Sequence, residues 1–480
     1  MLEDSPPNGG DLAGGGVQPP QVRVREIQAK LHRWAVADND RRFDDLYNLV
    51  CDPAFLWVAW DRVRSNKGSR TAGVDGATAR YIESERGAEA FLSELRADLK
   101  DRSFRPLPVR ERLIPKPGTT KKRRLGIPTV RDRVVQAALK LVLEPIFEAD
   151  FDPGSYGFRP GRRAHDAIAE AHYLATHSYE WVVEGDITAC FDEIDHTALM
   201  DRVRRRVGDK RVLGLVKAFL KAGVLDSGTH WQETKTGTPQ GGILSPLLAN
   251  IALSVLDEHI ASKWSDSEVE RAKRRRRGGA NYRGIRYADD FLVMVSGTRQ
   301  HAESVRNEVA EVLAVMGLRL SPEKTLITHI DQGLDFLGWR IQRHVKKGSN
   351  GKAYVYTYPS KKAVRAIMAK VKTICRQGTN LSLSVLLHRL NPVLRGWTTY
   401  FRPGVSSATF NYLNAYTWRR VVGWIRRKHP RMNWKTLRQR YCDGGWWPHE
   451  GEAALFNTGA VSTTRYRYRG ATIPSPWPAA

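Results

Sequence analysis

Gly284-Ile285-Arg286-Tyr287-Ala288-Asp289-Asp290-Phe291-Leu292-Val293-Met294-Val295 is the stretch on which the reading of this chain turns. Two short apolar runs around a small polar break predict a β-hairpin with a tight turn. The break carries two adjacent carboxylates, which repel each other, and only Arg286 in the local sequence offsets them. Taken alone, Asp-Asp is compatible with an ordinary Asp-rich turn. It is also compatible with a bound divalent cation, because Mg²⁺ takes oxygen ligands, commonly one or two carboxylates plus substrate phosphates. A third carboxylate in a suitable setting decides between the two.

Upstream, Trp181-Val182-Val183-Glu184-Gly185-Asp186-Ile187 predicts a buried strand with Asp186 at its C-terminal end and the aromatic Phe191 five residues on. Asp195 is placed to cap a helix in which Leu199, Val203 and Val207 recur every four residues. Gly237-Thr238-Pro239-Gln240-Gly241-Gly242 predicts a loop that lets backbone approach a ligand closely. Ser245-Pro246 then predicts a helix with Ser245 as its cap. Arg271 to Gly279 is a basic insert. Past the hairpin come a helix over 301–315, a strand over Leu318-Arg319-Leu320, and a strand pair ending at Phe336-Leu337-Gly338-Trp339-Arg340. This order predicts an α+β domain, a mainly antiparallel sheet backed by helices, with Asp186 and Asp289 on neighbouring central strands.

The flanks extend the pattern. Residues 1–24 read as a disordered tail, and a helical pattern starts at Arg25. A Gly-rich loop spans 65–76, and helices are predicted over 88–99 and 132–147. Ile114-Pro115-Lys116-Pro117 opens a strand and turn, followed by the basic run Lys121-Lys122-Arg123-Arg124. A turn over 155–163 carries Arg159, Arg162 and Arg163, which, with the basic run before it in a strongly basic chain, are expected to contact RNA phosphates. From Lys361 the chain is helical, basic and aromatic, with Arg395, Trp397, Arg419 and Arg420 among its side chains. Aromatics interleaved with arginine suit stacking on bases and pairing with phosphates in RNA; equally, they suit the core of a helical bundle. Residues 446–480 read as a short basic tail containing Arg465-Tyr466-Arg467-Tyr468-Arg469.

Composition narrows the function class. In 480 residues, 77 Lys and Arg against 51 Asp and Glu give a net charge of +26. A charge of that size points to a polyanionic partner, nucleic acid ahead of a membrane surface. At 41% hydrophobic the chain is globular rather than disordered. No apolar run approaches the roughly 20 residues of a membrane span. The four cysteines lack metal-site spacing, which predicts free thiols in a reducing cytoplasm.

Three carboxylates from two strands, Asp186, Asp289 and Asp290, suit a pair of Mg²⁺ ions about 3.5–4 Å apart, serving a primer 3′-hydroxyl and a triphosphate. Lys116 and one residue of the basic run, Arg123, are placed to clamp the triphosphate. Lys324 is a candidate proton donor to the leaving group. With these residues in view, Asp186-Ile187-Thr188-Ala189-Cys190-Phe191-Asp192, Gly237 to Pro246 and Tyr287-Ala288-Asp289-Asp290 resemble the core motifs of a reverse transcriptase, in order and at compatible spacing. With Ile114-Pro115-Lys116-Pro117 before them and Phe336-Leu337-Gly338-Trp339 after, residues 45–445 resemble bacterial group II intron-encoded proteins, Asn391–Arg402 lying in their maturase or thumb region.

The resemblance implies a right-hand polymerase with an α-helical thumb, and Asp186, Asp289 and Asp290 as catalytic metal ligands. Phe191 would gate against a 2′-hydroxyl. Gln240 would line the nucleotide pocket, and Lys116 and Arg123 would touch the triphosphate, with Arg124 also in play because the preceding loop is one residue longer than usual. Implied partners are group II intron RNA, an RNA template with a DNA primer, deoxynucleoside triphosphates and a DNA target, in a bacterial cytoplasmic or nucleoid ribonucleoprotein, with no membrane. Expected domains are a helical extension of the fingers over 25–95, fingers and palm over 96–345, and the thumb over 360–445. Larger members of the family end in an endonuclease module with metal-binding His and Cys; only about 35 residues follow the thumb here, with His449 and no Cys pair, so no endonuclease is expected. A splicing-only RNA-binding maturase and a domesticated reverse transcriptase of host defence or repair are the alternative readings.

Overall fold

The structure is a computed structural model, and it describes residues 18–115, 122–226, 230–346, 348 and 351–477. Two four-stranded sheets organise the first two thirds of the chain. Their strands are β1 (Val109–Pro115), β2 (Lys122–Ile127), β3 (Trp181–Asp186), β4 (Val224–Leu225), β5 (Trp231–Gln232), β6 (Asn281–Tyr287), β7 (Asp290–Ser296) and β8 (Leu326–His329). The fingers sheet has the order β2-β1-β4-β5 and the palm sheet β6-β7-β3-β8. All pairings in the palm are antiparallel, so the expected hairpin and its central neighbour are both present.

β7 is an uninterrupted apolar run because both of its faces are covered. Phe291, Val293 and Val295 join the larger core with helices His196–Arg206, Ser245–Ser262 and Arg299–Ala314. Leu292 and Met294 join a second core with Ala167, Ile168 and Ala171 of helix Ala164–Thr176. Gly185 lets Phe291 lie across β3: a Cβ there would fall 2.0 Å from the Phe291 ring.

Helix Val130–Glu148 runs through the larger core and is buried on nearly every side. It contains Pro145, whose missing N–H leaves the carbonyl of Leu141 without its helical donor. Gln28 of helix Pro20–Ala37 donates to that carbonyl at 2.7 Å, and Gln28 Oε1 accepts from Trp477 Nε1 at 3.3 Å. A proline in one helix is thus compensated by a polar side chain of another.

Beyond the palm, β9 (Leu334–Phe336), β10 (Trp339–Val345) and β11 (Ala353–Pro359) form a three-stranded sheet that leads into the thumb. Helices Lys361–Arg376, Leu383–Phe401, Ser407–Lys428 and Trp434–Cys442 pack there around Leu386, Leu390, Leu413 and Trp424.

Several expectations are corrected. Residues 1–17 lie outside the described residues, but helix Pro20–Ala37 begins five residues before Arg25, with proline in its first turn, so the tail does not extend to residue 24. Ser245 is the first helical residue, not the cap; its hydroxyl donates to the Pro239 carbonyl and accepts from Thr238, tying the Gly-rich loop to the helix. Leu318-Arg319-Leu320 forms no strand, only a single bridge between Leu320 and Ile187. The segment 446–477 is no free tail. Trp477 packs on His32, Ile473 enters the second core, and Tyr466 and Arg469 bond to Asp166. Among the described residues no helix is long and apolar enough to cross a membrane, and all four cysteines are free and buried.

Candidate active site

The palm sheet brings the three aspartates to one end. Asp186, the last residue of β3, lies opposite Asp290, the first residue of β7, and Asp289 sits in the turn between β6 and β7. Ala288 takes a left-handed conformation (φ 59°), which a non-glycine residue holds only when its surroundings impose it. Those surroundings are identifiable. Tyr156 N–H donates to the Arg286 carbonyl and Arg286 N–H to the Gly154 carbonyl, both at 2.8 Å. The backbone of Gly157 lies so close to the turn that a Cβ would come within 2.1 Å of Ala288 N.

Arg286 does not neutralise the Asp289-Asp290 pair, contrary to the local reading of the sequence. Its guanidinium is fully buried and paired with Asp257. It also donates to Asn250 Oδ1 at 2.8 Å, to Ser155 Oγ at 2.7 Å and to the Ala288 carbonyl at 3.1 Å. Asp257, Asn250 and Ser155 escape sequence reasoning because they are 29, 36 and 131 residues from Arg286. The local signal is a pair of polar residues, Asn250 and Asp257, among the buried apolar residues of helix Ser245–Ser262.

The carboxylates therefore keep their mutual repulsion. Asp290 has surface open to water, yet loss of hydration first, then the charges of Asp289 and Asp186, raises its carboxyl to about 6. Lys324 donates to Asp186 Oδ2 at 2.8 Å, and that bond holds the ammonium's pKa above its ordinary value. Burial, followed by the charge of Asp289, pushes the Cys190 thiol up to about 12, so it stays neutral beside the carboxylates. Among the described residues no group of three or more His, Cys, Asp or Glu side chains can hold a metal unaided. The donors at this end of the sheet are hard carboxylate oxygens whose negative charge Lys324 offsets only in part, which fits a cation that completes its shell with water and substrate phosphates.

The other expected nucleotide-site residues divide. Phe191, half-buried in helix Cys190–Glu193, meets the exposed Phe158 edge-on at 6.2 Å. Gln240 Nε2 reaches Asp192 Oδ2 at 3.4 Å. Its loop is laced to the Phe191 segment by Thr238 N–H to the Phe191 carbonyl (2.6 Å) and Gly237 N–H to the Ile194 carbonyl (2.7 Å). Lys116 lies outside the described residues. Arg123 is exposed on β2 opposite Ile114, whereas Arg124 is paired with Glu111.

The expected RNA contacts need larger corrections. Arg159 is buried, paired with Glu148, and donates to the Asp152 and Ser155 carbonyls. Arg162 is also largely covered and donates to the Pro153 carbonyl at 2.9 Å. Both organise the turn instead of facing a polyanion; Arg163 alone of the three is exposed. Trp397 packs against Phe401 and Phe410 between two cores, so it is a core aromatic. Arg395 and Arg419 are exposed, and Arg420 lies over the Tyr416 ring.

Comparison with known proteins agrees with this geometry. Residues 114–341 match the family described as reverse transcriptase (RNA-dependent DNA polymerase), and residues 364–442 match the group II intron, maturase-specific domain. Protein YkfC of Escherichia coli is 38% identical over 362 residues, covering 71% of this chain and 93% of that protein. Group II intron-encoded protein LtrA of Lactococcus lactis subsp. cremoris is 34% identical over 352 residues, covering 63% of this chain and 57% of that protein. Nuclear intron maturase 1, mitochondrial, of Arabidopsis thaliana is 27% identical over 297 residues, 45% of this chain and 41% of that protein.

Proposed function

This chain belongs to the group II intron reverse transcriptase/maturase family, and from that membership we propose that it copies RNA into DNA with Asp186, Asp289 and Asp290 as its catalytic carboxylates and binds its intron RNA to assist splicing and mobility. The opposed register of Asp186 and Asp290, with Asp289 in the adjoining turn, carries this reading. Two Mg²⁺ ions, when bound there, supply charge neutralisation for the triphosphate and a lowered pKa for the primer hydroxyl.

The remaining roles belong to side chains. The primer 3′-oxygen attacks the α-phosphorus, the bond to pyrophosphate breaks, and Lys324 gives a proton to the departing oxygen. Arg123, with Lys116, neutralises the triphosphate as it gains charge. Phe191 closes the space a 2′-hydroxyl would need, and Gln240 lines the same pocket through its tie to Asp192. Arg163, Arg395, Arg419 and Arg420 offer charge to intron RNA, within a ribonucleoprotein that also meets a DNA target.

Primer extension on an RNA template with Mg²⁺ tests the reading. Deoxynucleotide-dependent extension by the wild type, lost in Asp289→Ala while RNA binding persists, is the expected result, and Phe191→Val should admit ribonucleotides. Undiminished extension by Asp289→Ala would remove the metal-site assignment. No extension by folded wild-type protein would leave a splicing-only maturase.

A further inference from the structure

Helix Ala164–Thr176, the β10–β11 hairpin and the C-terminal strap at 463–468 enclose a groove of about 1410 Å³. None of the three aspartates and no residue of the Gly237–Gly242 loop lines it. Its volume exceeds the roughly 300–1,000 Å³ of a small-molecule site, so it suits a chain molecule. We propose that this groove binds a single-stranded segment of RNA, separately from the template and primer at the catalytic end of the palm.

Three features of the lining point to that ligand. Tyr173, Tyr354 and Tyr468 line the groove yet are 41%, 46% and 38% exposed. Tyr173 and Tyr468 stack on each other with ring centroids 4.6 Å apart and planes 18° from parallel, a platform that unpaired bases extend. The hairpin contributes Tyr354 to the other wall. Charge is the second feature. Glu180, the acidic residue of the lining, is paired with Arg343, and Arg465 adds an exposed guanidinium at the groove, which suits a phosphate backbone. Hydroxyls are the third. Thr463 opens onto the same space, as does Thr176, whose hydroxyl donates to the Tyr173 carbonyl at 2.6 Å and keeps acceptor capacity for a 2′-hydroxyl, which favours RNA over DNA.

The strap is held by bonds that leave this surface free. Tyr466 and Arg469 are turned inward to Asp166, and Tyr468 reaches Glu170 through its hydroxyl while its ring stays on Tyr173. Within Arg465-Tyr466-Arg467-Tyr468-Arg469 the anchors to Asp166 are Tyr466 and Arg469, while Arg465 is exposed at the groove.

The test uses full-length protein preloaded with excess unlabelled template–primer, and follows fluorescence anisotropy of labelled U10. Tyr354→Ala and Arg465→Glu should each weaken U10 binding about five-fold or more, with primer extension on a pre-annealed substrate within about two-fold of wild type. The oligonucleotide dT10 should bind more weakly than U10. Complete competition of U10 by the template–primer, or U10 affinity unchanged in both variants, would overturn the proposal. Equal binding of dT10 would overturn the assignment to RNA in favour of single-stranded DNA.

Discussion

Lys324 donates from Nζ to Asp186 Oδ2 across 2.8 Å, which sets an ammonium on the carboxylate that faces Asp290 across the palm sheet. A divalent cation at that end of the sheet competes with the lysine for the same oxygen. Lys324→Gln keeps most of the side chain and removes the competitor. Its half-saturating Mg²⁺ concentration in primer extension should fall, while its maximal rate drops roughly 100-fold if the lysine also protonates the leaving group. A Mg²⁺ titration of wild type and variant separates the two effects. An unchanged Mg²⁺ requirement would mean that Lys324 has already left Asp186 when template–primer is bound.

Arg286 and Asp257 form a second pair, fully buried, whose role is positional. Arg286→Met leaves an unpaired carboxylate in the core and should cost about 3–5 kcal/mol of stability. Arg286→Met with Asp257→Leu should regain most of that in urea unfolding, because neither charge remains. Polymerase activity should stay low even in the double variant, since the Ala288 carbonyl in the catalytic turn has lost its guanidinium donor. Full recovery of activity would show that the turn holds itself.

These two pairs also mark what the sequence discloses. The hairpin over 284–295, the strand ending at Asp186 and the main helices were legible, because local periodicity reports which faces are buried. Partners were not. An arginine beside two aspartates looks like their counter-ion until Asp257 arrives from a helix 29 residues away. Arg159 and Arg162 looked like surface charge because nothing local predicts Glu148 beneath them. Residues 446–477 show no strong apolar period and carry a basic patch, so they read as a short basic tail; their anchors, Asp166 and Gln28, lie hundreds of residues earlier.

Asp132 gives the fold a pH dependence. It lies in the first turn of helix Val130–Glu148, where the capping Thr129 accepts from its N–H and donates to its Oδ2, but it is almost wholly buried and its Oδ1 has no partner among the described residues. Burial raises its carboxyl from 3.8 to about 6, against the opposing bond from Thr129. Between those values the folded protein holds a proton that the unfolded chain has released, so stability falls as pH rises through that window and levels off above 6. A shift of that size corresponds to roughly 3 kcal/mol. Unfolding free energies at pH 4 and pH 7 should therefore drop by about 2–3 kcal/mol more for wild type than for Asp132→Asn. Parallel changes in the two proteins would assign the pH dependence elsewhere.

Part of what Gln28 contributes to the chain exists because of Pro145. The proline cannot donate to the Leu141 carbonyl, and the amide of Gln28 takes over that role at 2.7 Å. Gln28→Met leaves the buried carbonyl unsatisfied and should cost about 1–3 kcal/mol. It also frees Trp477 Nε1, which Gln28 Oε1 accepts, and so loosens the strap. Pro145→Ala restores a backbone N–H that can reach Leu141 within the helix. In that background Gln28→Met should cost clearly less, a coupling of about 1 kcal/mol or more in a double-mutant cycle followed by urea unfolding. Additive costs would show that Gln28 matters through Trp477 alone and that the helix tolerates the open carbonyl.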